Sequence, residues 1–178
     1  ISTKKNNNYY GVTLFSDHNY LQMQTDFIDY IEKTKPKQLH IFDNSNVQNI
    51  DEMYGGSSGD YINYDHLNTL PSNGDITKLN TILQFSGSQN KLSDLVTADG
   101  GFDWKNENLQ EQEAYKLILG QMITALKSQN NKGNFVIKIF ESYTEITIKI
   151  IEFLRSFYEN VYIYKPYTSR ISNSEKYI

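Results

Sequence analysis

The chain has 178 residues, no cysteine and a formal net charge of −4 at pH 7, which allows one domain with a sizeable core and excludes disulfides, a thiol nucleophile and zinc–thiolate sites. The acidic balance gives no general attraction to nucleic acid, so any basic surface must be local. The histidines form no metal-spaced cluster, and neither a membrane-spanning run nor a signal peptide is visible, so we expect an intracellular protein of nucleus, cytoplasm or virion, with no metal and no membrane partner.

The chain begins with Ile1 rather than methionine and ends inside what reads as a strand at 175–178. We therefore interpret it as a fragment of a longer protein. Residues 1–8 form a polar N-terminal run, and residues 9–178 form the globular part of a single domain.

The first half of the chain predicts two strands and one helix. Residues 9–15 are aromatic and β-branched, and residues 38–42 have a similar character, so each predicts a strand. Apolar residues at 27, 28 and 31 have the spacing of a short helix. The glycine-rich segment 54–60 does not match a dinucleotide or phosphate-loop fingerprint, so we interpret it as a surface loop that could cover a ligand.

The middle of the chain alternates helical and strand patterns. Residues 73–77 predict a turn that leads into a helix with Leu79, Ile82 and Leu83 at core spacing. A strand then ends at residue 99, and a long amphipathic helix is predicted at about 109–129. Lys132, Gly133 and Asn134 predict a turn before the next strand.

The last part of the chain predicts two further strands and a helix. Residues 135–140 are a strong strand, and residues 161–164 a weaker one that Pro166 ends. The helix between them has an apolar stripe made of Ile146, Ile150, Phe153, Leu154 and Phe157. The order β-α-β-α-β-α-β indicates a doubly wound α/β domain.

The stretch 94–102 is an apolar, strand-like run that ends on Asp99 and is followed by Gly100 and Gly101. In an open parallel sheet the ligand crevice lies outside the carboxyl ends of the strands, so Asp99 would stand at that edge. The glycines would let the backbone turn sharply or approach a ligand closely. The alternative is an ordinary turn, because Asp and Gly are common turn residues.

Lys138 lies within an apolar strand that we expect to be covered by helices on both faces. A lysine ammonium there is costly unless it reaches a partner, solvent or a functional cleft. Lys138 is therefore a candidate general base. The alternative is a lysine near the strand end whose ammonium reaches water.

The segment 165–175 combines cations, hydroxyls, an amide and a carboxylate before the last predicted strand. Arg, Ser and Asn side chains of this kind make contacts to phosphate and ribose. A solvated loop is the alternative for any one of these residues.

The three segments 94–102, 133–140 and 165–177 together resemble the FtsJ-type RNA ribose 2′-O-methyltransferases, and the last segment is more similar to the mRNA cap branch than to the ribosomal RNA branch. The resemblance runs from about residue 10 to the end. It implies a Rossmann-like sheet that binds S-adenosylmethionine. The family's first strand, glycine-rich cofactor loop and first tetrad lysine are not visible, so we expect them upstream of Ile1 or in another segment.

The resemblance also implies roles for individual residues. Asp99, Lys138 and Glu175 match the last three members of the family's Lys-Asp-Lys-Glu tetrad. Lys138 would deprotonate the ribose 2′-hydroxyl, while Asp99 and Glu175 hold the lysine and Asp99 also lies beside the cofactor. Asp75 and the backbone of Ile76 match the segment that binds the adenine. The residues expected to contact RNA are Asn108, Ser169, Arg170, Asn173 and Ser174.

The implied function is methyl transfer from S-adenosylmethionine to a ribose 2′-hydroxyl in the first transcribed nucleotides of capped mRNA, from cap 0 to cap 1. RNA is then the substrate, and a capping enzyme is a candidate partner. One alternative is a non-catalytic FtsJ-like domain that binds RNA or a capping partner. Methylation of ribosomal or transfer RNA is disfavoured by the segment 168–175, and a Rossmann dehydrogenase by the absence of Gly-x-Gly-x-x-Gly.

Overall fold

The computed structural model divides the chain into two compact units, Ile1–Gln89 and Asn90–Ile178. The interpretation of residues 1–178 as one domain stays a prediction. The residues that the structure describes are 8–12, 39–42, 72, 74–89, 92–101, 105–170 and 172–178.

The first unit contains a parallel pair of short strands. Strand β1 (Tyr9–Gly11) pairs with β2 (Leu39–Ile41), and the Phe42 N–H donates to the Gly11 carbonyl at 2.8 Å. Both predicted strands are therefore confirmed in shorter form. The predicted helix near residues 27–31 and the glycine-rich segment 54–60 lie outside the described residues.

Helix α1 (Leu79–Ser88) follows the predicted turn in the same unit. Gly74 in that turn has a φ of 82°, a left-handed conformation that glycine adopts without steric cost. Ile82 and Phe85 of α1 are buried, and the Phe85 ring packs edge-to-face on Phe42 with centroids 5.9 Å apart. Leu79 and Leu83, which the spacing also predicts as core, are half-buried.

The second unit is built on a three-stranded sheet in the order β3-β4-β5. β3 (Ser93–Ala98) and β4 (Gln129–Ile139) are parallel, whereas β5 (Lys176–Tyr177) is antiparallel to β4. Parallel neighbours need a long crossover connection, which here is helical. The helices of this unit are a 3₁₀ helix (Glu107–Leu109), α2 (Gln110–Glu113), α3 (Tyr115–Ser128) and α4 (Glu145–Arg155).

The core of this unit covers one face of β4. Ile137 and Ile139 are fully buried, and side chains alternate between the two faces of a strand, so Lys138 belongs to the opposite face. Burial of each isoleucine side chain contributes about 1.5–3 kcal/mol, which fixes the orientation of the strand. The two isoleucines pack in a cluster with Ala114, Ile118, Met122 and Leu154.

Two predicted features differ from the structure around β4. The long helix is interrupted at Ala114, although the Ala114 N–H still donates to the Gln110 carbonyl at 3.0 Å. The predicted turn at 132–134 lies within β4 rather than before it. These residues form an irregularity in the strand: Lys132 has a φ of 66°, and the pairing register with β3 shifts between Gln129 and Asn134.

The predicted stripe of α4 and the predicted strand at 161–164 are confirmed only in part. Leu154 is buried, whereas Ile146, Phe153 and Phe157 are exposed. The other buried residue of this helix is Thr147. Within 161–164 only Tyr164 pairs, through an antiparallel bridge to Tyr177. None of the helices in the described ranges is long and apolar enough to cross a membrane.

Candidate active site

Polar side chains collect on the sheet face opposite the isoleucine core, where β3 and β4 end. Ala98 pairs with Ile137 and Lys138 pairs with Tyr177, so Asp99, Lys138 and Tyr177 follow one another across three neighbouring strands. Side chains at paired positions lie on the same face of a sheet. The carboxyl ends of parallel strands are where α/β sheets bind ligands.

Two neighbours stabilise the positive charge of Lys138. Its Nζ forms an ion pair with Asp99 Oδ1 and lies 5.5 Å from the centroid of the Phe140 ring. The Lys138 side chain is 18% exposed and that of Asp99 63% exposed. The cation is thus partly withdrawn from water beside a carboxylate and an aromatic face, which offset the cost of its desolvation. Asp99 remains open to a ligand.

Glu175 contacts this site through Tyr177. Among the described residues Glu175 makes no ion pair with Lys138, and its Oε1 instead accepts a hydrogen bond from the Tyr177 hydroxyl at 2.8 Å. That hydrogen bond, together with burial and the charges of Glu175 and Asp99, raises the pKa of Tyr177 to about 12. The phenol therefore stays protonated at neutral pH and donates to the carboxylate.

The backbone that follows Asp99 is held by α3. The Gly100 N–H donates to Gln121 Oε1 at 2.7 Å, and Gln121 is buried. A Cβ on Gly100 would lie 2.9 Å from that oxygen and 3.2 Å from Leu117 Cδ1, so a larger residue would have to displace the Gln121 amide. A Cβ on Gly101 would meet nothing within 4 Å. The two glycines therefore differ: one packs against the helix, and the other borders open space.

Lys165 organises the segment 165–175. Its Nζ donates to Ser169 Oγ at 3.1 Å, to Asn173 Oδ1 at 2.8 Å and to the carbonyls of Asn173 and Glu175, both at 2.9 Å. Ser169 and Asn173, which we predict as RNA contacts, thus have oxygens engaged inside the loop. Arg170 is exposed, and its carbonyl accepts from the Asn173 N–H at 3.3 Å, whereas its guanidinium forms no hydrogen bond or ion pair with any other described residue.

Lys176 ties the same loop to the end of β4. Its Nζ donates to the Ser174 carbonyl at 3.0 Å and to the Phe140 carbonyl at 3.1 Å. Ser174, another predicted RNA contact, is half-buried. Asn108 lies in the exposed 3₁₀ helix, where its N–H donates to Asn106 Oδ1 at 3.0 Å.

Asp75 and Ile76 lie in the turn before α1 of the first unit. Asp75 Oδ1 accepts hydrogen bonds from the Thr77 N–H at 2.9 Å and the Thr77 hydroxyl at 2.7 Å. Ile76 is half-buried. The carboxylate therefore stabilises its own turn, whatever ligand it also contacts.

Glu111 is a buried carboxylate that the sequence analysis did not identify. Its Oε1 accepts from the Thr144 N–H at 2.9 Å and hydroxyl at 2.8 Å, and its Oε2 accepts from the Tyr143 N–H at 3.3 Å. Burial raises its pKa, but the donors of Thr147, Thr144 and Tyr143 outweigh burial and lower the pKa below 4.5. A glutamate in a first helical turn usually indicates only a favourable helix-dipole contact, so the sequence carried little signal for this role.

Lys165, Gln121 and Tyr177 were also missed as site-forming residues. Their partners lie on other elements or across a loop, so no local pattern marks them. In the described ranges no group of three or more His, Asp or Glu side chains is arranged to hold a metal ion.

Comparison with known proteins gives one family. A family model described as FtsJ-like methyltransferase matches residues 3–178. The cap-specific mRNA (nucleoside-2′-O-)-methyltransferase 1 of Mus musculus is 34% identical over 135 residues, which cover 72% of this chain and 16% of that protein. The protein of the same name from Trypanosoma brucei brucei is 36% identical over 112 residues, which cover 61% of this chain and 30% of the relative.

The chain thus aligns with only part of the length of these relatives, while the family model extends over nearly the whole chain. The resemblance inferred from the segments around Asp99, Lys138 and Glu175 is thereby confirmed at the level of the family. The chain belongs to the FtsJ-like methyltransferase family.

Proposed function

We propose that this chain carries the reaction site of an RNA ribose 2′-O-methyltransferase that acts on the first transcribed nucleotides of capped mRNA, from cap 0 to cap 1. The observation that carries the proposal is the Asp99–Lys138 ion pair at the carboxyl edge of parallel strands. Family membership and the names of the relatives support the substrate class. A capping enzyme remains the proposed partner.

In the proposed mechanism Lys138 is the general base. In its amine form it would accept the proton of the ribose 2′-hydroxyl while that oxygen bonds to the methyl carbon, and the bond from methyl to sulfur would break so that a neutral thioether leaves. Asp99 fixes the direction of the lysine side chain and stabilises the ammonium that forms. Glu175, held by the Tyr177 hydroxyl, adds a second carboxylate to the same face. The chain contributes alignment and proton transfer, which together account for large rate effects.

The residues at this edge fit S-adenosylmethionine, which when bound supplies a methyl group activated by a sulfonium. The Asp99 carboxylate is largely exposed and can accept hydrogen bonds from amine or hydroxyl donors, and Gly101 leaves open space beside it. We propose that Asp75 and the backbone of Ile76 bind the adenine. We also propose a Rossmann-like, doubly wound sheet, which the parallel pairing of β1 with β2 and of β3 with β4 supports.

RNA is proposed to contact the loops at this edge. The guanidinium of Arg170, exposed and without a partner among the described residues, is suited to a phosphate. Asn108 is exposed on the 3₁₀ helix. Ser169, Asn173 and Ser174 complete the proposed RNA contacts, with the first two also shaping the loop around Lys165.

The test is radiolabelled methyl transfer from S-adenosylmethionine to cap-0 RNA by the full-length protein that contains this chain. Lys138→Ala should lower the rate by about 100-fold or more, because general base catalysis contributes that much. Lys149→Ala is the control, because among the described residues Lys149 forms an ion pair with the exposed Glu145 on α4 and with no other carboxylate. RNA that already carries the 2′-O-methyl group should not accept label.

Wild-type turnover by the Lys138→Ala variant would refute the base assignment. If the unmodified protein binds RNA but transfers no methyl group, the alternative of a non-catalytic FtsJ-like binding domain is correct.

A further inference from the structure

Two loops beside the site each carry a highly exposed tyrosine. Tyr143, which follows β4, is 86% exposed, and Tyr167, in the segment that leads into β5, is 100% exposed. Because Ile139 near the end of β4 pairs with Lys176 at the start of β5, both loops extend from the same edge of the sheet as Lys138. Large rings in water forgo the free energy of burial, which a ligand could recover.

The backbone of Tyr143 is held in place although its ring is exposed. The N–H of Tyr143 and both donors of Thr144 bond to the buried Glu111 carboxylate. The Tyr115 hydroxyl also shares a hydrogen bond with the Thr144 hydroxyl. A side chain on an anchored backbone loses less conformational freedom when it binds a ligand.

Tyr167 is anchored in a comparable way. The Ser169 N–H donates to the Pro166 carbonyl at 3.0 Å, which closes a tight turn with Tyr167 inside it. Lys165 Nζ holds the same turn through Ser169 and Asn173. The turn therefore presents the ring outward, close in sequence to the exposed Arg170 cation.

We propose that Tyr143 and Tyr167 are stacking platforms for unpaired RNA bases near the nucleotide whose 2′-hydroxyl reaches Lys138. The inference rests on the proposed function, which supplies RNA as the ligand. Proteins hold single-stranded RNA by stacking bases on aromatic rings and by placing cations at phosphates, and Tyr167 with Arg170 offers both. Stacking tolerates any base, which suits transcripts that differ in sequence.

Tyr162 provides a matched control within the same chain. It is 73% exposed, and it precedes Tyr164, which pairs antiparallel with Tyr177. Since β5 is itself antiparallel to β4, the segment that contains Tyr162 runs parallel to β4. Tyr162 therefore lies towards the amino end of β4, away from the two loops.

The experiment measures dissociation constants of a short capped single-stranded RNA at one fixed salt concentration, with the full-length protein. Tyr143→Ala and Tyr167→Ala should each weaken binding roughly tenfold, the size expected for one stacked base. Tyr→Phe at either position should keep wild-type affinity, because the ring suffices for stacking. Tyr162→Ala should bind like wild type.

A second RNA tests the base contact directly. Abasic sites replace the bases beside the target nucleotide, and with this RNA the Ala variants and the wild type should bind equally. A loss that persists with abasic RNA would overturn stacking in favour of sugar or phosphate contact. Wild-type affinity in both Ala variants would also overturn the inference, and it is the result expected if these loops bind a protein partner instead. An equal loss of affinity with Tyr162→Ala would overturn it as well.

Failure of the proposed function is seen separately, because binding requires no methyl transfer. Tyrosine-dependent RNA binding without transfer by the unmodified protein would refute the enzyme and leave this inference standing. Methyl transfer by a protein whose RNA binding does not depend on these tyrosines would support the enzyme and refute this inference.

Discussion

Lys138 acquires its environment from its neighbours along and across the sheet. Ile137 and Ile139 bury their side chains in the core, so the lysine is turned to the other face, where Asp99 follows the end of the adjacent strand. An ammonium is costly to desolvate alone, and the ion pair and the Phe140 ring compensate this cost. The same placement makes the residue available to a substrate at the strand ends.

Removal of the Tyr177 hydroxyl should affect turnover more than binding. Tyr177→Phe keeps the ring and deletes the hydrogen bond to Glu175 Oε1. Because a hydrogen bond to a charged group contributes about 1.5–3 kcal/mol, we expect kcat to fall by about 10- to 100-fold with little change in KM for RNA. Steady-state kinetics over a range of pH test this, with Tyr162→Phe as control. An unchanged kcat would show that Tyr177 is only structural.

Gly100 and Gly101 should respond differently to the same substitution. In Gly100→Ala the new Cβ displaces the Gln121 amide, and we expect the free energy of unfolding to fall by about 1–3 kcal/mol. Gly101→Ala meets open space and should change it by less than about 0.5 kcal/mol. Urea denaturation of both variants and of the wild type measures these changes in the free energy of unfolding. Equal effects would mean that the Gln121 contact is unimportant for stability.

At the scale of elements, side chains hold the connections at the carboxyl edge, in addition to the backbone turn between Pro166 and Ser169. Glu111 at the start of α2 holds residues 143–144 between β4 and α4. Lys176 holds the end of β4 against the loop before β5. These contacts explain how exposed loops can keep a defined geometry beside the site.

The Glu111 contact should make stability depend on pH in a predictable direction. Its pKa is lowered in the folded state, so the stabilisation is present above the unfolded-state value near 4.5 and is lost as the pH falls through the folded-state value. Glu111→Gln should lower the free energy of unfolding by about 1–3 kcal/mol at pH 7. It should also flatten the decline of stability in acid. Chemical denaturation at a series of pH values measures both effects.

Glu113→Gln is the matched control, because Glu113 accepts one hydrogen bond from the described part of the chain, from the Lys105 N–H at 3.0 Å. It should leave the acid dependence close to that of the wild type. If the Glu111→Gln and wild-type curves run parallel, the carboxylate does not titrate as described.

At the scale of the whole molecule, the net charge of −4 opposes association with RNA, so affinity must come from local groups. Lys165 and Lys176 have their ammonium groups bonded inside the loop, whereas Arg170 is exposed. Ring stacking and a small number of cations at the edge are then the expected sources of binding. Such an interface depends only modestly on salt.

Arg170→Gln should reduce the salt dependence of RNA binding. If Arg170 neutralises one phosphate, the slope of log affinity against log salt for single-stranded RNA should become shallower by about 0.7. Titrations at several salt concentrations give the slope. Arg155→Gln, at the last turn of α4, should leave it unchanged. Identical slopes for the Arg170 variant and the wild type would exclude a phosphate contact at Arg170.

The sequence by itself determined the strands predicted to end at residues 99 and 140, which the structure ends at 98 and 139, and the membership in the FtsJ-like family, because apolar periodicity and short motifs are local properties. These local properties did not predict the order of the strands, the conformation of residues 132–134 or which face of α4 is buried. Those features depend on which element a segment packs against, as the shifted register between β3 and β4 illustrates.

Only the tertiary structure decided how the site is held together. It paired Asp99 with Lys138, assigned Glu175 to Tyr177, and bound the oxygens of Ser169 and Asn173 to Lys165. The links of Glu111 to Thr144 and of Gly100 to Gln121 join residues that are far apart in the chain. Such polar contacts leave no periodic signal, because they arise where chain segments meet after the apolar faces have been buried.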